Sequence, residues 1–366
     1  MRSFGSRATA LLVILLGLSI PSAPPPSAQK AGATLGPGPK VTIEMIGQGN
    51  PAHLQYTRVE APYVKELIPQ RSNGRIEIRL STRDERSLQG TELVRLLRQG
   101  QVDISNVALT FIAGEVRILD GVDLAGLNPT AEQARQVTNA MTAAFNQELE
   151  RVGVKQISAY PYPAQAFYCR QPITKLDDLR GKKIRTFGVT LNDLVVALGA
   201  QPVSMAFPEV YSALERGVVD CGITGTATGN ASKWYEVTTH LYTYLLSWGV
   251  NAYFVNLAWW NKLDPAVREF LESSLVEMAD KLSDLSVEIT QDGTDCNTGR
   301  PNCKHGTLAK DRPMVEVKAT DAEKARFARI LDETVIPAWV KRCGDPCGET
   351  YNRVIAPITG VKYTKR

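Results

Sequence analysis

Histidine is scarce in this chain. His53, His240 and His305 are its only three, and none stands at a metal-ligand spacing from another or from a carboxylate on one helix. There is also no G-x-S-x-G elbow, no H-E-x-x-H, no G-x-G-x-x-G after a strand and no phosphate loop. Serine acyl chemistry, zinc peptidase chemistry and nucleotide binding therefore lose their usual carriers, and no metal or cofactor is implied. After residue 20 no apolar run is long enough to stop transfer across a bilayer. Net charge is small too: the formal +4 falls to +1 once Arg2, Arg7 and Lys30 of the N-terminal segment are set aside. A nearly neutral chain gives no footing for nucleic acid or an acidic membrane surface.

What is present begins with an export signature. Arg2 and Arg7 precede the apolar run "ALLVILLGLSI" (10–20), and "PSAPPPSAQKAGA" follows with small residues suited to a signal peptidase. Residues 1–33 read as a secretory signal whose last residue is Ala28 or Ala33. No cysteine lies near that point, so a lipid anchor is not expected. In an exported chain, six cysteines are better read as disulfides than as metal ligands, a structural zinc site being the other reading. Cys296 and Cys303 bracket "NTGRPN", and Cys343 and Cys347 bracket "GDP"; either pair closes a small loop and leaves Cys169 and Cys221 as the third. Crossed pairing of 296/303 with 343/347 stays open.

The 366 residues suit two domains of ordinary size. "KVTIEMIG" (40–47) and "GRIEIRLS" (74–81) alternate like strands, with helical spacing in "LQYTRVEAPYVKELIPQRS" between them. "TELVRLLRQG" (91–100) is a helix capped by Gly100, and "VDISNVAL" a buried strand. The same grammar restarts after about 160, with strands at "KKIRT", "QPVSMAF" and "VVDCGI" and helices ending at Gly199 and Gly217. Glu92, Leu97, Gly100, Val102 and Asp103 recur as Glu209, Leu214, Gly217, Val219 and Asp220, at a constant offset of 117. Two similar α/β domains with parallel strands follow, and a cleft where their strand ends meet. After the strand "NAYFVN", one long helical pattern begins at Asp264-Pro265 and is long enough to brace both domains.

Candidate chemistry is sparse. Asp103 and Asp220 invite a carboxylate-pair reading, but equivalent places in twin domains favour a backbone role for each. A Cys221–His240 nucleophilic pair is outweighed by a half-cystine. "GTATGN" (225–230) offers backbone N–H groups to an anion without the lysine of a phosphate loop. Arg185 stands near the carboxyl end of its strand, where a planar guanidinium can grip a carboxylate with two parallel hydrogen bonds. Phe111, Phe187, Phe207 and Trp248 follow strand or turn positions and are candidates for cleft walls.

"PITKLDDLRGKKIRT", "LGAQPVSMAFPEVYSALERGVVD", "KWYEVTTH" and "WNKLDPAVREFL" together resemble the DctP-type extracytoplasmic solute receptors of tripartite ATP-independent periplasmic (TRAP) transporters. The resemblance implies an α/β, two-domain periplasmic binding protein fold with hinge strands, a bracing helix and a ligand cleft between domains. It implies domain I at 34–162 plus about 251–285 and domain II at 163–250 plus about 286–366. A non-catalytic periplasmic receptor that passes an organic acid to the small and large membrane subunits of a permease is expected. A carboxylate sensor for a receptor kinase and an exported enzyme on the same frame are the alternatives. Arg185 takes the carboxylate by direct motif match. Gln165 stands where many members have a second arginine, with Arg170 a flanking residue, and Thr224 where an asparagine often contacts ligand. Those departures point to a monocarboxylate with an apolar or aromatic body, walled by Trp248 and Phe207.

Overall fold

Two sheets carry the fold, and both grow from the same three-strand unit. A computed structural model describes residues 33–365 except Leu245. The signal segment therefore lies outside the described residues, Ala33 apart. In the first sheet β1 (Val41–Ile46) pairs in parallel with β2 (Ile76–Ser81) and β3 (Ile104–Ala108). In the second, β6 (Lys183–Thr186) pairs in parallel with β7 (Gln201–Ser204) and β8 (Cys221–Gly225). Each unit then meets antiparallel strands. The full orders are β2-β1-β3-β10-β4 and β11-β9-β5-β8-β6-β7, with β4 Val154–Tyr160, β5 Gln165–Cys169, β9 His240–Tyr242, β10 Asn251–Asn256 and β11 Val315–Val317. The chain enters the second sheet at β5 and returns to the first at β10.

The repeated sequence ending makes a repeated structure. Helix Leu93–Arg98 gives way to Gly100 at φ +68, and helix Val210–Arg216 to Gly217 at φ +74; both glycines hold the left-handed turn that sends the chain into its strand. Asp103 Oδ2 then accepts the Glu44 N–H at 2.8 Å, and Asp220 Oδ2 accepts the Lys183 N–H at 2.8 Å. Each aspartate thus fastens the third strand of its unit to the first.

The helical stretch after β1 departs from the regular helix expected. It contains two π-helical turns, Tyr56–Glu60 and Tyr63–Leu67, before helix Ile68–Arg71. Leu331–Val335 and Tyr351–Ile355 are π-helical as well. Each of the four stops two residues before a proline: Pro62, Pro69, Pro337 and Pro357. A proline ring collides with the carbonyl four residues back, and widening the preceding turn moves that carbonyl aside.

The long helix, Pro265–Asn297, spans 33 residues, about 50 Å at 1.5 Å per residue. Asp264 caps it, its Oδ1 accepting the N–H groups of Ala266 and Val267. Val267 through Leu282 pack with core residues of the first sheet, among them Ile43, Tyr160 and Tyr253. Leu285 and Ile289 pack instead on Ala227, beyond β8, and Asn297 Nδ2 donates to the Tyr168 hydroxyl on β5 at 2.8 Å. Gly293 lets the two helices touch: a Cβ there would lie 2.3 Å from the Ala227 nitrogen. The boundary expected near 285 thus falls inside an unbroken helix, where its packing partner changes. The C-terminal helices reach both ways. Arg342 pairs with Asp193 beyond β6, while Trp339 Nε1 donates to the Arg117 carbonyl beyond β3. Disulfides join Cys169–Cys221, Cys296–Cys303 and Cys343–Cys347, the first across the registered pair of β5 and β8.

Candidate functional site

The carboxyl ends of the parallel strands in both sheets face one cavity of about 90 Å³. At about 10–15 Å³ for each water-sized occupant, it has room for a small organic molecule. The first sheet contributes Gln48, Asn50 and His53 after β1, Arg83 and Asp84 after β2, and Phe111 after β3. The second contributes Arg185 and Phe187 from the end of β6, Phe207 after β7, Thr224 in β8 and Thr228 just beyond it. One side is rich in amide, imidazole and guanidinium groups; the other combines rings with a single guanidinium.

Arg185 is 2% exposed. Its Nε donates to the Met205 carbonyl at 3.2 Å and its Nη1 to the Ile223 carbonyl at 2.8 Å, which aims the planar fork without neutralising it. Among the described residues no acidic side chain pairs with it, and Nη2 has no protein partner. Burial alone pushes its pKa down to about 9. The rings of Phe187 and Phe207 lie 5.3 and 5.7 Å from the guanidinium carbon and shape the space around it.

Of the residues read from sequence as ligand contacts, Arg185, Gln165, Phe207, Thr224 and Phe111 line this cavity. Gln165 is partly engaged: one N–H of its Nε2 donates to the Pro163 carbonyl at 2.7 Å, which fixes the amide and leaves its second N–H in place of an arginine fork. Trp248 does not line the cavity, contrary to the wall position expected from sequence. The Asp123 carboxylate accepts from the Trp248 and Gly249 N–H groups and the Ser247 hydroxyl, fixing the turn before β10. The indole is thereby carried to the far side, where Nε1 donates to the Asn128 carbonyl and the ring packs on Ala131, Ala134 and Ala164. Burial raises the Asp123 carboxyl to about 6 against the pull of those hydrogen bonds. "GTATGN" is helical rather than a loop, and its Thr228 lines the cavity. It ends β8 and forms helix Thr226–Ala231, with Thr226 Oγ1 donating to the Thr290 carbonyl of the long helix.

Sequence reading missed the polar wall. Arg83 lies 3.9 Å from Asp84, which also accepts from Asn50 Nδ2, and stands over the Phe111 ring at 5.3 Å. Desolvation lowers the Arg83 pKa. His53 is buried against Phe207 of the opposite wall, ring centroids 5.8 Å apart, with Nδ1 3.0 Å from the Tyr162 hydroxyl. Burial, reinforced by Arg83, lowers it to about 4 and keeps the ring neutral. The signal was available: the strand-end rule that selects Arg185 also selects "GQGNPAH" after β1 and "TRD" after β2.

Comparison with known proteins meets this geometry. Residues 48–293 match the DctP family model, described as bacterial extracellular solute-binding protein, family 7. The chain is 28% identical over 190 residues to the C4-dicarboxylate-binding periplasmic protein DctP of Rhodobacter capsulatus, covering 51% of this chain and 57% of that one. It is 29% identical over 159 residues to protein YiiZ of Salmonella typhimurium, covering 41% and 49%. The match thus spans about half the length of these curated relatives. A TRAP periplasmic solute-binding protein of Desulfovibrio salexigens with bound orotic acid superposes with a TM-score of 0.77 at 18% identity, covering 87% of this chain and 100% of the other. DctP6 of Bordetella pertussis, a receptor binding pyroglutamic acid, gives 0.75 at 20% identity, covering 87% and 99%. These two likenesses establish the two-sheet receptor fold. The family match goes further: the chain belongs to the DctP family, the extracytoplasmic solute receptors of TRAP transporters.

Proposed function

We propose that this chain is a periplasmic receptor that captures a small organic acid, holds its carboxylate on Arg185, and delivers it to the small and large subunits of a TRAP permease. The observation that carries the reading is a buried guanidinium, held by two carbonyls at a cavity and paired with no acidic side chain among the described residues. A carboxylate supplies the missing counter-charge through bidentate, charge-assisted hydrogen bonds of about 1.5–3 kcal/mol each. Family membership supports the permease as destination, and the N-terminal export signature supports the compartment. Solved relatives that carry orotic acid, pyroglutamic acid or succinate support the ligand class. The sheets act as lobes of one clamp, domain I being 34–162 with about 251–285 and domain II the remainder to 366. Binding rather than catalysis is its task.

A thermal-shift screen of the mature chain against organic acids tests this. A ligand at a hundred times its Kd adds about 2.7 kcal/mol of stability. Arg185→Met should fold, since it removes an unpaired buried charge, and should lose at least about 100-fold in affinity for the best acid, some 2.7 kcal/mol. Undiminished binding by this variant removes Arg185 from its role, and silence from every acid removes the reading itself.

A further inference from the structure

Arg58 and His305 meet from elements anchored in different sheets. Arg58 lies in the π-helical turn Tyr56–Glu60 after β1. Glu60 fixes that turn to the first sheet: its Oε1 accepts from Asn106 Nδ2 on β3 and from the Tyr253 hydroxyl on β10, each at 2.7 Å. His305 lies in the loop after the long helix. Asn230, in helix Thr226–Ala231 beyond β8, accepts the Thr307 N–H at 2.7 Å and donates to the Thr307 carbonyl at 2.9 Å, which fixes that loop to the second sheet. Cys296–Cys303 and the Asp292 carboxylate, which accepts the Lys304, His305 and Gly306 N–H groups, fix it to the end of the long helix. The loop lies outside the family match, which ends at residue 293.

The contact is a bridge of three side chains. Arg58 Nη1 lies 2.9 Å from His305 Nδ1, and His305 Nε2 lies 2.6 Å from Glu288 Oε1 on the long helix. A guanidinium only donates and a carboxylate only accepts, so the partners set the roles of the ring: Nδ1 accepts and Nε2 donates. Arg58 also lies 3.9 Å from Glu288 directly. The imidazole therefore links opposite charges and is engaged at both nitrogens. Nearby, Leu54 and Val59 pack on Ala227, Leu285 and Ile289, but a cavity of about 210 Å³ between Ala52 and Thr307 interrupts the seam. Apolar contact of this kind is non-directional, whereas the bridge is satisfied in one arrangement of the two sheets.

We propose that Arg58, His305 and Glu288 form a clasp that holds the two lobes together and favours the closed cleft before any ligand enters. This rests on the reading of the two sheets as lobes of one clamp. The test is the distance between spin labels on Glu77→Cys of β2 and Val196→Cys of helix Val189–Ala197, both exposed positions, measured by double electron–electron resonance on the mature protein dialysed free of ligand. In His305→Ala and in Arg58→Met the ratio of longer to shorter distances should rise about 2–5-fold, the range for partly exposed charged contacts. His305→Gln, whose amide also accepts at one atom and donates at the other, should keep most of the wild-type ratio. Arg79→Met, which breaks the Arg79–Glu44 pair inside the first sheet, should leave it unchanged. An unchanged ratio in both His305→Ala and Arg58→Met, or an equal rise in Arg79→Met, overturns the clasp. The two levels separate as follows: one narrow distance common to every variant means that the lobes do not move, and the clamp reading falls as well; two distances in wild type whose ratio no clasp variant alters remove the clasp alone.

Discussion

Asp103 and Asp220 make the same backbone hydrogen bond in the two sheets, yet the residues at the strand ends around them share little. After β1 and β2 the chain carries Gln48, Asn50, His53, Arg83 and Asp84; at and after β6 and β7 it carries Arg185, Phe187 and Phe207. The parts that set strand order are duplicated, and the parts that meet the ligand are not. A capping glycine and a strand-fastening aspartate are demanded by the turn itself. A strand-end residue is constrained only by what enters the cleft, so each wall is free to take its own chemistry. The second sheet differs in one structural respect as well, because Cys169–Cys221 ties β5 to β8 while no disulfide ties β3 to β10.

That staple is the largest expected difference between the halves. It closes a sequence separation of 52, against 7 for Cys296–Cys303. By loop-closure entropy the first should stabilise by about 4 kcal/mol and the second by about 2.5 kcal/mol. Urea unfolding of Cys169→Ser/Cys221→Ser beside Cys296→Ser/Cys303→Ser measures both. Equal losses would show that chain entropy is not what the long-range bridge contributes.

The two halves were also unequally legible in sequence. β1, β2 and β3 and β6, β7 and β8 announced themselves by alternation and by glycine at the preceding helix ends. β4 did not, because its buried positions are Val154, Gln156, Ser158 and Tyr160. Two of the four are polar: the Ser158 hydroxyl donates to the Leu275 carbonyl and Gln156 Nε2 to Thr142 Oγ1, while Gln156 Oε1 is buried without a partner, so the apolar pattern is broken where the burial pattern is strict. β9 and β11 have three residues each, too short for any period. In the site, Arg185 could be found because it stands near the carboxyl end of a legible strand, β6. Arg83 and His53 sit in polar loops that read as surface, and only the facing of the two sheets buries them. Trp248 misled because the hydrogen bonds of Asp123, 125 residues away, decide where its ring points.

The shared aspartates should cost less than the staple, and unequally. Asp103 lies in a partly buried setting and its carboxyl is raised by desolvation, whereas the Asp220 bond is exposed. Asp103→Ala is expected to lose about 2 kcal/mol and Asp220→Ala about 1 kcal/mol, each leaving a strand N–H without its acceptor. Because the two sites belong to different sheets, the double variant should lose their sum within about 0.5 kcal/mol. A larger loss from Asp220→Ala would break the equivalence of the two units.

The smallest effect probes the polar wall alone. His53 faces Arg83, the Tyr162 hydroxyl and the Phe207 ring, and its pKa in the fold is about 4 against an ordinary 6.5. Between those values the unfolded chain takes up a proton that the folded chain refuses, so stability is lost as pH falls below 6.5 and continues to fall towards 4. At about pH 6 the loss is roughly 0.8 kcal/mol. Asp120 and Asp123, raised to about 7 and about 6 by burial, act in the opposite sense, since the folded chain takes up protons there first. The informative quantity is therefore the wild-type pH dependence minus that of His53→Gln, which keeps every other titrating group. If the two proteins lose stability in parallel on acidification, His53 is not held neutral by the wall.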